Sequence, residues 1–228
     1  MDYSEFSFAP PSRLDAWLNS LRLGHADDKP RIAVSACLTG QPVRYDGGNR
    51  YDGTVARVLR RWLLLQEYCP EMAIGLGVPR PPIQLVRTAD GLRVRGVADS
   101  QQDVTHALRG FADTLPASLS GAVLKARSPS CGVDNTPVWA EQGEPLGTAS
   151  GAFAARLSER APLLPMISEP ALARAEQVEL FVLQVYCYRQ YQRWGAGEWL
   201  VTVRDAVAEW KVEAVRAPLL AYLERVLD

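Results

Sequence analysis

The sequence predicts an α/β fold: a mostly parallel, Rossmann-like sheet flanked by helices, with an α-helical C-terminal extension. Short apolar runs bounded by turn residues alternate with segments of helical periodicity, which is typical of a parallel sheet with crossover helices. After Pro170, only helical patterns continue to the end of the 228-residue chain. We therefore divide the chain into an N-terminal arm (1–30), an α/β domain (31–169) and a helical extension (170–228).

The first two predicted elements are the arm and a buried strand. Ser12 is placed to cap a helix over 13–23, and 25–30 form a polar linker. We interpret the arm as a solvent-facing segment or a subunit contact, which leaves a homodimer open. Residues 31–37 form an apolar run typical of a buried strand, and the run ends at a cysteine.

A polar loop and a helix are predicted next. Residues 39–52 are rich in glycine, asparagine and aspartate and predict a loop. Apolar residues at helical spacing predict a helix over 53–68, which must end before Pro70 because proline disfavours helix at the preceding residue. The short apolar run at 72–76 predicts a second core strand.

The remaining elements continue the alternation. The dipeptide Asp90-Gly91 predicts a hairpin, and Ser100 or Asp103 is placed to cap a helix. The predicted strands are 83–86, 92–94, 121–125 and 164–168, and the predicted helices are 103–115, 151–160, 172–193, 198–211 and 212–227.

Composition excludes several function classes. The 25 Lys+Arg residues balance 26 Asp+Glu residues, which argues against nucleic-acid binding through broad electrostatics. No apolar run reaches the roughly 20 residues of a membrane span, and the N-terminus lacks a signal-peptide pattern. We therefore expect a soluble, cytoplasmic protein without a membrane partner. Its 4 cysteines are then expected to be reduced thiols.

Two of these cysteines follow predicted strands, at the sheet edge where open α/β folds place their chemistry. Cys37 ends the first strand, and Cys131 lies in the loop after 121–125, whereas Cys69 precedes a predicted strand. Neighbouring proline and glycine let backbone N–H groups approach the sulfur, which favours thiolate and iron–sulfur ligation. Without a Cys-x-x-Cys pair, buried structural thiols remain an open alternative. Cys187, in a helical segment, is predicted to be a core residue.

Three ordered motifs carry a resemblance to a known family. They are Ser-Ala-Cys-Leu-Thr-Gly at 35–40 with Arg-Tyr-Asp-Gly at 44–47, Cys-Pro-Glu at 69–71 with Pro-Arg-Pro-Pro at 79–82, and Leu-Lys-Ala-Arg-Ser-Pro-Ser-Cys-Gly at 124–132. Together they resemble the domain-of-unknown-function 523 family, which includes the thiouracil desulfurases. The similarity runs from about residue 31 to residue 169.

The resemblance implies a [4Fe-4S] cluster with only three protein ligands, which fall on Cys37, Cys69 and Cys131. It also implies catalytic roles for Glu71 and Ser128. An iron without a protein ligand has an open position and can act as a Lewis acid, and soft thiocarbonyl sulfur prefers such an iron. We therefore hypothesise a non-redox desulfuration of a small thiolated pyrimidine, 2-thiouracil to uracil plus sulfide, with the substrate sulfur on the open iron.

For each of the predicted site residues other than the cysteines, a simpler structural role stays open beside the functional one. Glu71 would activate water or move protons, and Ser128 would bond the substrate or relay a proton, but a surface or capping role for Glu71 and a turn-stabilising role for Ser128 stay open. Arg44 and Asp46, in the polar loop, would contact a pyrimidine edge or form turns and ion pairs. Lys125 would offset the negative charge of a cluster or be a solvated end-of-strand lysine.

The chain departs from the family pattern in two places. Many relatives carry a further cysteine just before Arg-Tyr-Asp-Gly, where this chain has Val43. Residues 177–194 resemble the start of a second domain that some relatives carry downstream.

Arg80, between two prolines, is expected to satisfy loop carbonyls. The three tryptophans of the extension are expected to be core, with a contact surface as the alternative; they are Trp194, Trp199 and Trp210.

Other functions remain open at this stage. The sulfur chemistry could serve another thiolated nucleobase, a nucleoside or RNA, because members of one family need not share a substrate. A non-enzymatic module that binds a cluster or zinc and recruits a partner through its helices is a second alternative. A thiol-nucleophile enzyme is disfavoured because neither His25 nor His106 lies in a motif that suggests a base.

Overall fold

The computed structural model describes residues 13–24 and 28–228, so the predicted cap Ser12 and His25 lie outside the described residues. The strands are β1 (Arg31–Ser35), β2 (Leu64–Tyr68), β3 (Ile83–Thr88), β4 (Gly91–Gly96), β5 (Ala122–Leu124), β6 (Thr136–Ala140), β7 (Pro145–Ala149) and β8 (Met166–Ser168). The α-helices are α1 (Leu14–Ser20), α2 (Pro70–Ala73), α3 (Thr105–Asp113), α4 (Ala152–Arg160), α5 (Ala175–Trp194), α6 (Glu198–Ala208) and α7 (Glu213–Leu227).

Four strands form the predicted parallel sheet, in the order β2-β1-β5-β8. In the register of this sheet, Ser35 pairs with Tyr68 and Leu124 pairs with Ser168. The carboxyl ends of β1, β2, β5 and β8 therefore lie along one edge. The prediction of a mostly parallel α/β sheet is confirmed for this layer.

The predicted helix over 53–68 is wrong in its second half. Its first part is helical, with a π-helical turn at Thr54–Val58 and a 3-10 turn at Leu59–Arg61. The chain then enters β2, and all of its residues pair with β1, from Arg31 opposite Leu64 onward. The hydrogen bonds to β1 outweigh the local helical spacing, because strand stability depends on tertiary context.

The predicted strand over 72–76 is also wrong, because α2 extends to Ala73 and a turn follows it. Cys69 precedes α2, its carbonyl accepts the Ala73 N–H at 2.9 Å, and Pro70 occupies the first helical position, where its missing N–H is harmless. Cys69 consequently follows a parallel strand, as Cys37 and Cys131 do. The sheet-edge rule thus applies to three cysteines rather than two.

A second, mixed sheet of order β4-β3-β6-β7 was not predicted. Its β3–β4 hairpin confirms the prediction from Asp90-Gly91. The predicted caps of α3 are wrong, because its N-cap residue is Val104, without a side-chain cap; the Asp103 carboxylate, one residue earlier, accepts the Thr105 N–H. β7 escaped prediction because most of its residues are exposed and carry no buried apolar pattern. Nothing in the local sequence indicates that β6 pairs with β3 in parallel.

The C-terminal helices α5, α6 and α7 were predicted and are confirmed with small shifts of their ends. α5 belongs to the same apolar core as Ile32 and Val34 of β1, and Cys187 on α5 is fully buried there, as predicted. The tryptophans divide between the two predicted environments: Trp199 and Trp210 pack against this core, whereas Trp194 is 73% exposed. Among the described residues, no helix combines the length and the apolar character that crossing a membrane requires.

Candidate active site

The three predicted ligand cysteines surround one cavity of about 270 Å³ at the carboxyl edge of the parallel sheet. Cys37 lies in the 3-10 turn Ala36–Thr39 directly after β1. Cys69 lies between β2 and α2, and Cys131 lies in the loop after β5. All three are free thiols, and they come from three separate loops.

Burial governs the protonation of these thiols. It raises the pKa of Cys37 to about 11, which Arg44 and Lys125 oppose in part, and it raises the pKa of Cys69 and of Cys131 as well. The free thiols are therefore protonated near neutral pH, and a metal must displace their protons to bind. A thiolate nucleophile needs the opposite shift, so this environment disfavours the thiol-nucleophile alternative.

The donor set fits an iron–sulfur cluster. No three His, Cys, Asp or Glu side chains in the described part of the chain lie close enough to hold one metal ion. In a [4Fe-4S] cluster the thiolates bind different irons, so they stand further apart than ligands of a single ion, and purely sulfur donors favour such a cluster. Val43 lines the cavity in place of the further cysteine of many relatives, and Cys187 does not line it.

Glu71 forms part of the cavity wall, at the first turn of α2. Its Oε2 accepts hydrogen bonds from Arg80 Nε at 2.9 Å and contacts Arg80 Nη2 at 2.7 Å. Its Oε1 accepts a hydrogen bond from Ser130 Oγ at 2.9 Å. The side chain is only 14% exposed, so a surface carboxylate is not what the structure contains.

Ser128 also lines the cavity, and its hydroxyl stabilises the turn that carries Cys131. Ser128 Oγ accepts the backbone N–H of Ser130 at 3.2 Å and that of Cys131 at 3.1 Å. This is the turn role that the sequence left open. A hydroxyl that accepts two N–H groups still has its own proton to donate, so the turn role and a ligand contact are compatible.

The two predicted polar-loop residues have different positions. Arg44 lines the cavity, with its guanidinium 5.3 Å from the centre of the Tyr45 ring. Its Nε lies 3.5 Å from Asp46 Oδ1, is buried and makes no hydrogen bond. Asp46 does not line the cavity, and its Oδ1 accepts the Gly48 N–H at 3.0 Å, which stabilises the turn.

Lys125 lines the cavity as a partly buried cation rather than as a solvated lysine. Its Nζ forms an ion pair with Glu169 and donates to the Ala126 carbonyl at 3.2 Å. The charge of Lys125 lowers the pKa of Cys37, against the larger effect of burial. Glu169, which the sequence did not single out, holds this ammonium group in place and also accepts the Ala126 N–H at 2.6 Å.

Arg80 satisfies loop carbonyls, as predicted, because it donates to Gly77 O at 2.7 Å and to Val43 O at 3.0 Å. Its ion pair with Glu71 and the contact of Glu71 with Ser130 were missed. Both residues lie inside the recognised motifs, but only the tertiary fold shows that they face the same carboxylate. His106, which lies in no motif that suggests a base, is exposed and does not line the cavity.

Comparisons with known proteins agree with this geometry. The family described as 2-thiouracil desulfurase matches residues 32–169, more than half of the chain. Among solved structures, the chain resembles the [4Fe-4S]-dependent thiouracil desulfidase TudS, with a TM-score of 0.51 and 32% identity over 63% of this chain and 93% of that chain. No curated protein matches the sequence. Because the matched region contains all three cysteine loops, the resemblance is confirmed: the chain belongs to the 2-thiouracil desulfurase family.

Proposed function

We propose that this protein removes the sulfur of a small thiolated pyrimidine and converts 2-thiouracil to uracil and sulfide. The observation that carries the proposal is the convergence of Cys37, Cys69 and Cys131 on one cavity that Glu71 and Ser128 also line. Membership of the 2-thiouracil desulfurase family and the likeness to TudS support the same class of activity.

The three cysteines would hold a [4Fe-4S] cluster through their thiolates. When bound, the cluster supplies a Lewis-acidic iron with an open position for soft thiocarbonyl sulfur, without net oxidation or reduction. Arg44 and Lys125 flank Cys37 and partly compensate the negative charge that thiolate formation brings into the cavity. These two cations therefore favour loading of the site as well as binding of an electron-rich ligand.

Glu71 is placed to activate the attacking water. Its oxygens accept hydrogen bonds from Arg80 and Ser130, and a carboxylate has further lone pairs for a water in the cavity that Glu71 lines. As general base, Glu71 takes a proton from that water while the oxygen attacks the carbon of the thiocarbonyl group. The added hydroxyl then loses its proton and becomes the carbonyl oxygen while the carbon–sulfur bond breaks. This proton and the one held by Glu71 go to the departing sulfur, so thiouracil and water give uracil and hydrogen sulfide.

Ser128 and Arg44 supply hydrogen-bond donors to the ring. The Ser128 hydroxyl keeps its proton for a ligand, because its oxygen accepts two backbone N–H groups. The Arg44 Nε is a buried donor without a hydrogen-bond partner, which suits a pyrimidine carbonyl. The cavity of about 270 Å³ is smaller than the roughly 300–1,000 Å³ of pockets for drug-sized ligands, which favours a single heterocycle over RNA.

The proposal is tested by anaerobic reconstitution followed by parallel assays on 2-thiouracil, a thionucleoside and thiolated RNA. We expect visible absorption, about four iron atoms per chain and conversion of 2-thiouracil to uracil. A loaded protein that leaves 2-thiouracil unchanged but consumes the thionucleoside would contradict the proposed substrate. A loaded protein that acts on none of the three would instead support a non-enzymatic cluster-binding module.

A further inference from the structure

The Glu71 carboxylate accepts hydrogen bonds from two side chains, Arg80 and Ser130, that belong to different loops. Arg80 contacts Oε2 through Nε at 2.9 Å and through Nη2 at 2.7 Å. Ser130, which is fully buried, donates to Oε1 at 2.9 Å. Both oxygens thus have fixed partners, which restricts the rotation of the carboxylate.

Arg80 also connects this carboxylate to the loop that follows Cys37. Its Nη2 donates to Val43 O at 3.0 Å, and its Nη1 donates to Gly77 O at 2.7 Å. The thiol of Cys69 faces the same Val43 carbonyl, with Sγ 3.8 Å from the oxygen. One guanidinium group therefore joins the Val43 loop, the Gly77 loop and the helix that begins after Cys69.

Ser130 completes the connection, because it lies next to Cys131. Through Arg80, Glu71 and Ser130, the loops that carry the three cysteines belong to one hydrogen-bonded network. The charged pair of this network is largely shielded from solvent, because the Arg80 side chain is 4% exposed and the Glu71 side chain is 14% exposed. Charge-assisted hydrogen bonds between such groups are strong, and their planar geometry makes them directional.

Stability alone is a weak explanation for this pair. Burying an ion pair costs desolvation, and well-packed apolar side chains of similar volume are often equally stable or better. The nitrogens of Arg80 all donate to protein acceptors, so the guanidinium has little capacity left for a substrate. What the pair does provide is a fixed position for one carboxylate beside the thiols.

We propose that Arg80 and Ser130 are positioning residues of the desulfuration, which hold the Glu71 carboxylate in the orientation that activates water. This inference rests on the proposed function. Small displacements of a reacting group can cost about a hundredfold in rate, so a clamp of this kind has a large kinetic effect without touching the substrate.

The kinetic test places Arg80→Met and Ser130→Ala in the wild type and in a Glu71→Gln background. In the wild type, we expect kcat per loaded cluster to fall at least about tenfold for Arg80→Met, with KM nearly unchanged. In the Glu71→Gln background, the same change should cost nothing further, because Arg80 acts through Glu71. Equal losses of kcat in both backgrounds would overturn the proposal.

A matched control is Arg109→Met, which breaks the exposed pair with Glu159 and leaves the cavity intact. Iron content and visible absorption are measured for every variant. If Arg80→Met loses iron but keeps the wild-type kcat per loaded cluster, Arg80 only holds the loops for the cluster, and the proposal fails. Should Arg80→Met not fold, Ser130→Ala removes the second hydrogen bond to the Glu71 carboxylate and is judged by the same criteria.

A readout without turnover separates this inference from the proposed function. A double-mutant cycle compares four melting midpoints of the apoprotein. They are those of the wild type, Arg80→Met, Glu71→Gln and the double variant. We expect a non-additive effect, since the two side chains contact each other. If the changes in melting midpoint caused by the two single substitutions are additive, the proposal that Arg80 fixes Glu71 is overturned. A wild type that releases no sulfide would overturn the proposed function, while the cycle still decides whether Arg80 fixes Glu71.

Discussion

Side chains of one type carry different roles in this molecule because of what surrounds them. Cys37, Cys69 and Cys131 are thiols in loops at the end of parallel strands, where they line a cavity. Cys187 is fully buried, whereas Cys69 is half-buried, and Cys187 lies on α5 in the apolar core. Burial raises the pKa of all four thiols, so access to the cavity, not acidity, separates the three proposed ligands from the structural cysteine.

This difference predicts the result of single cysteine replacements. Cys37→Ala, Cys69→Ala and Cys131→Ala should each lose most of the cluster, because each removes one of only three thiolates. Cys187→Ala should keep it. The measurement is iron and sulfide content, with visible absorption, after anaerobic reconstitution. Loss of the cluster in Cys187→Ala would contradict the assignment of three ligands.

The residues of the site were predicted unevenly from the sequence. The cysteines, Glu71 and Ser128 were found because they lie in contiguous motifs that resemble a family. The grip of Arg80 and Ser130 on Glu71 was not found, because these residues come from three loops that only the folded chain brings together. Proximity of this kind is a tertiary property that no local pattern contains.

At the level of elements, the wrong assignments lie in one segment, 53–76, whereas β6 and β7 of the second sheet were missed. The apolar spacing of this segment is helical, yet the last five residues of the predicted helix form the edge strand β2, and the predicted strand begins inside α2. β2 is specified by its pairing with β1, which is distant in sequence. The strands β1, β5 and β8 were predicted correctly because each lies in a short apolar run of the sequence that is bounded by turn residues.

The amino end of α4 supports the Cys131 loop. The N–H groups of Ala152 and Phe153 donate to the carbonyls of Pro129 and Ser130, each at 3.0 Å. Gly151 lets the helix approach this closely, because a Cβ there would lie 2.6 Å from the Ser130 carbonyl carbon and oxygen. The cysteine loop is therefore held by a helix end as well as by its own turn.

We expect Gly151→Ala to lower cluster loading, because the added methyl group displaces the Ser130 backbone and with it the neighbouring Cys131. The control is Gly110→Ala in α3, where a Cβ would meet nothing within 4 Å. Alanine is favoured over glycine inside a helix by about 1 kcal/mol, so this control should be loaded normally and be no less stable. Equal iron content in the two variants would argue against the supporting role of α4.

At the level of the whole molecule, the C-terminal helices are part of the fold that carries the site. α5 packs in one core with β1, the strand that leads to Cys37. The N-terminal α1 joins the same layer: Arg13 Nε bonds Glu179 at 2.9 Å, and Trp17 stacks on Trp210 with ring centres 4.2 Å apart. Substitutions in the core of this helical layer should therefore also alter the packing of the parallel sheet.

The buried thiol of Cys187 gives this core a pH dependence. Burial raises its pKa from 9.0 to about 12, so above pH 9 the thiol ionises in the unfolded chain before it ionises in the folded one. The free energy of unfolding should then fall as the pH rises from 9 towards 12, by up to about 1.4 kcal/mol per pH unit for this thiol.

Urea unfolding of the wild type and Cys187→Val across this pH range checks the effect. The buried tyrosines are common to both proteins, so the difference in slope reports the thiol. Valine keeps an apolar side chain of similar size, and we expect a shallower fall of the unfolding free energy in the variant. Identical slopes would show that Cys187 is not protected from solvent in the folded protein.

The most direct measurement for the proposed chemistry is anaerobic turnover of 2-thiouracil by the reconstituted protein in oxygen-18 water. Hydrolytic, non-redox desulfuration requires the new carbonyl oxygen to come from solvent and sulfur to leave as sulfide. We predict labelled uracil, with the label at the carbon that carried sulfur, and an equal amount of sulfide without added reductant. Unlabelled uracil, a requirement for reductant, or no uracil from a fully loaded protein would contradict this account.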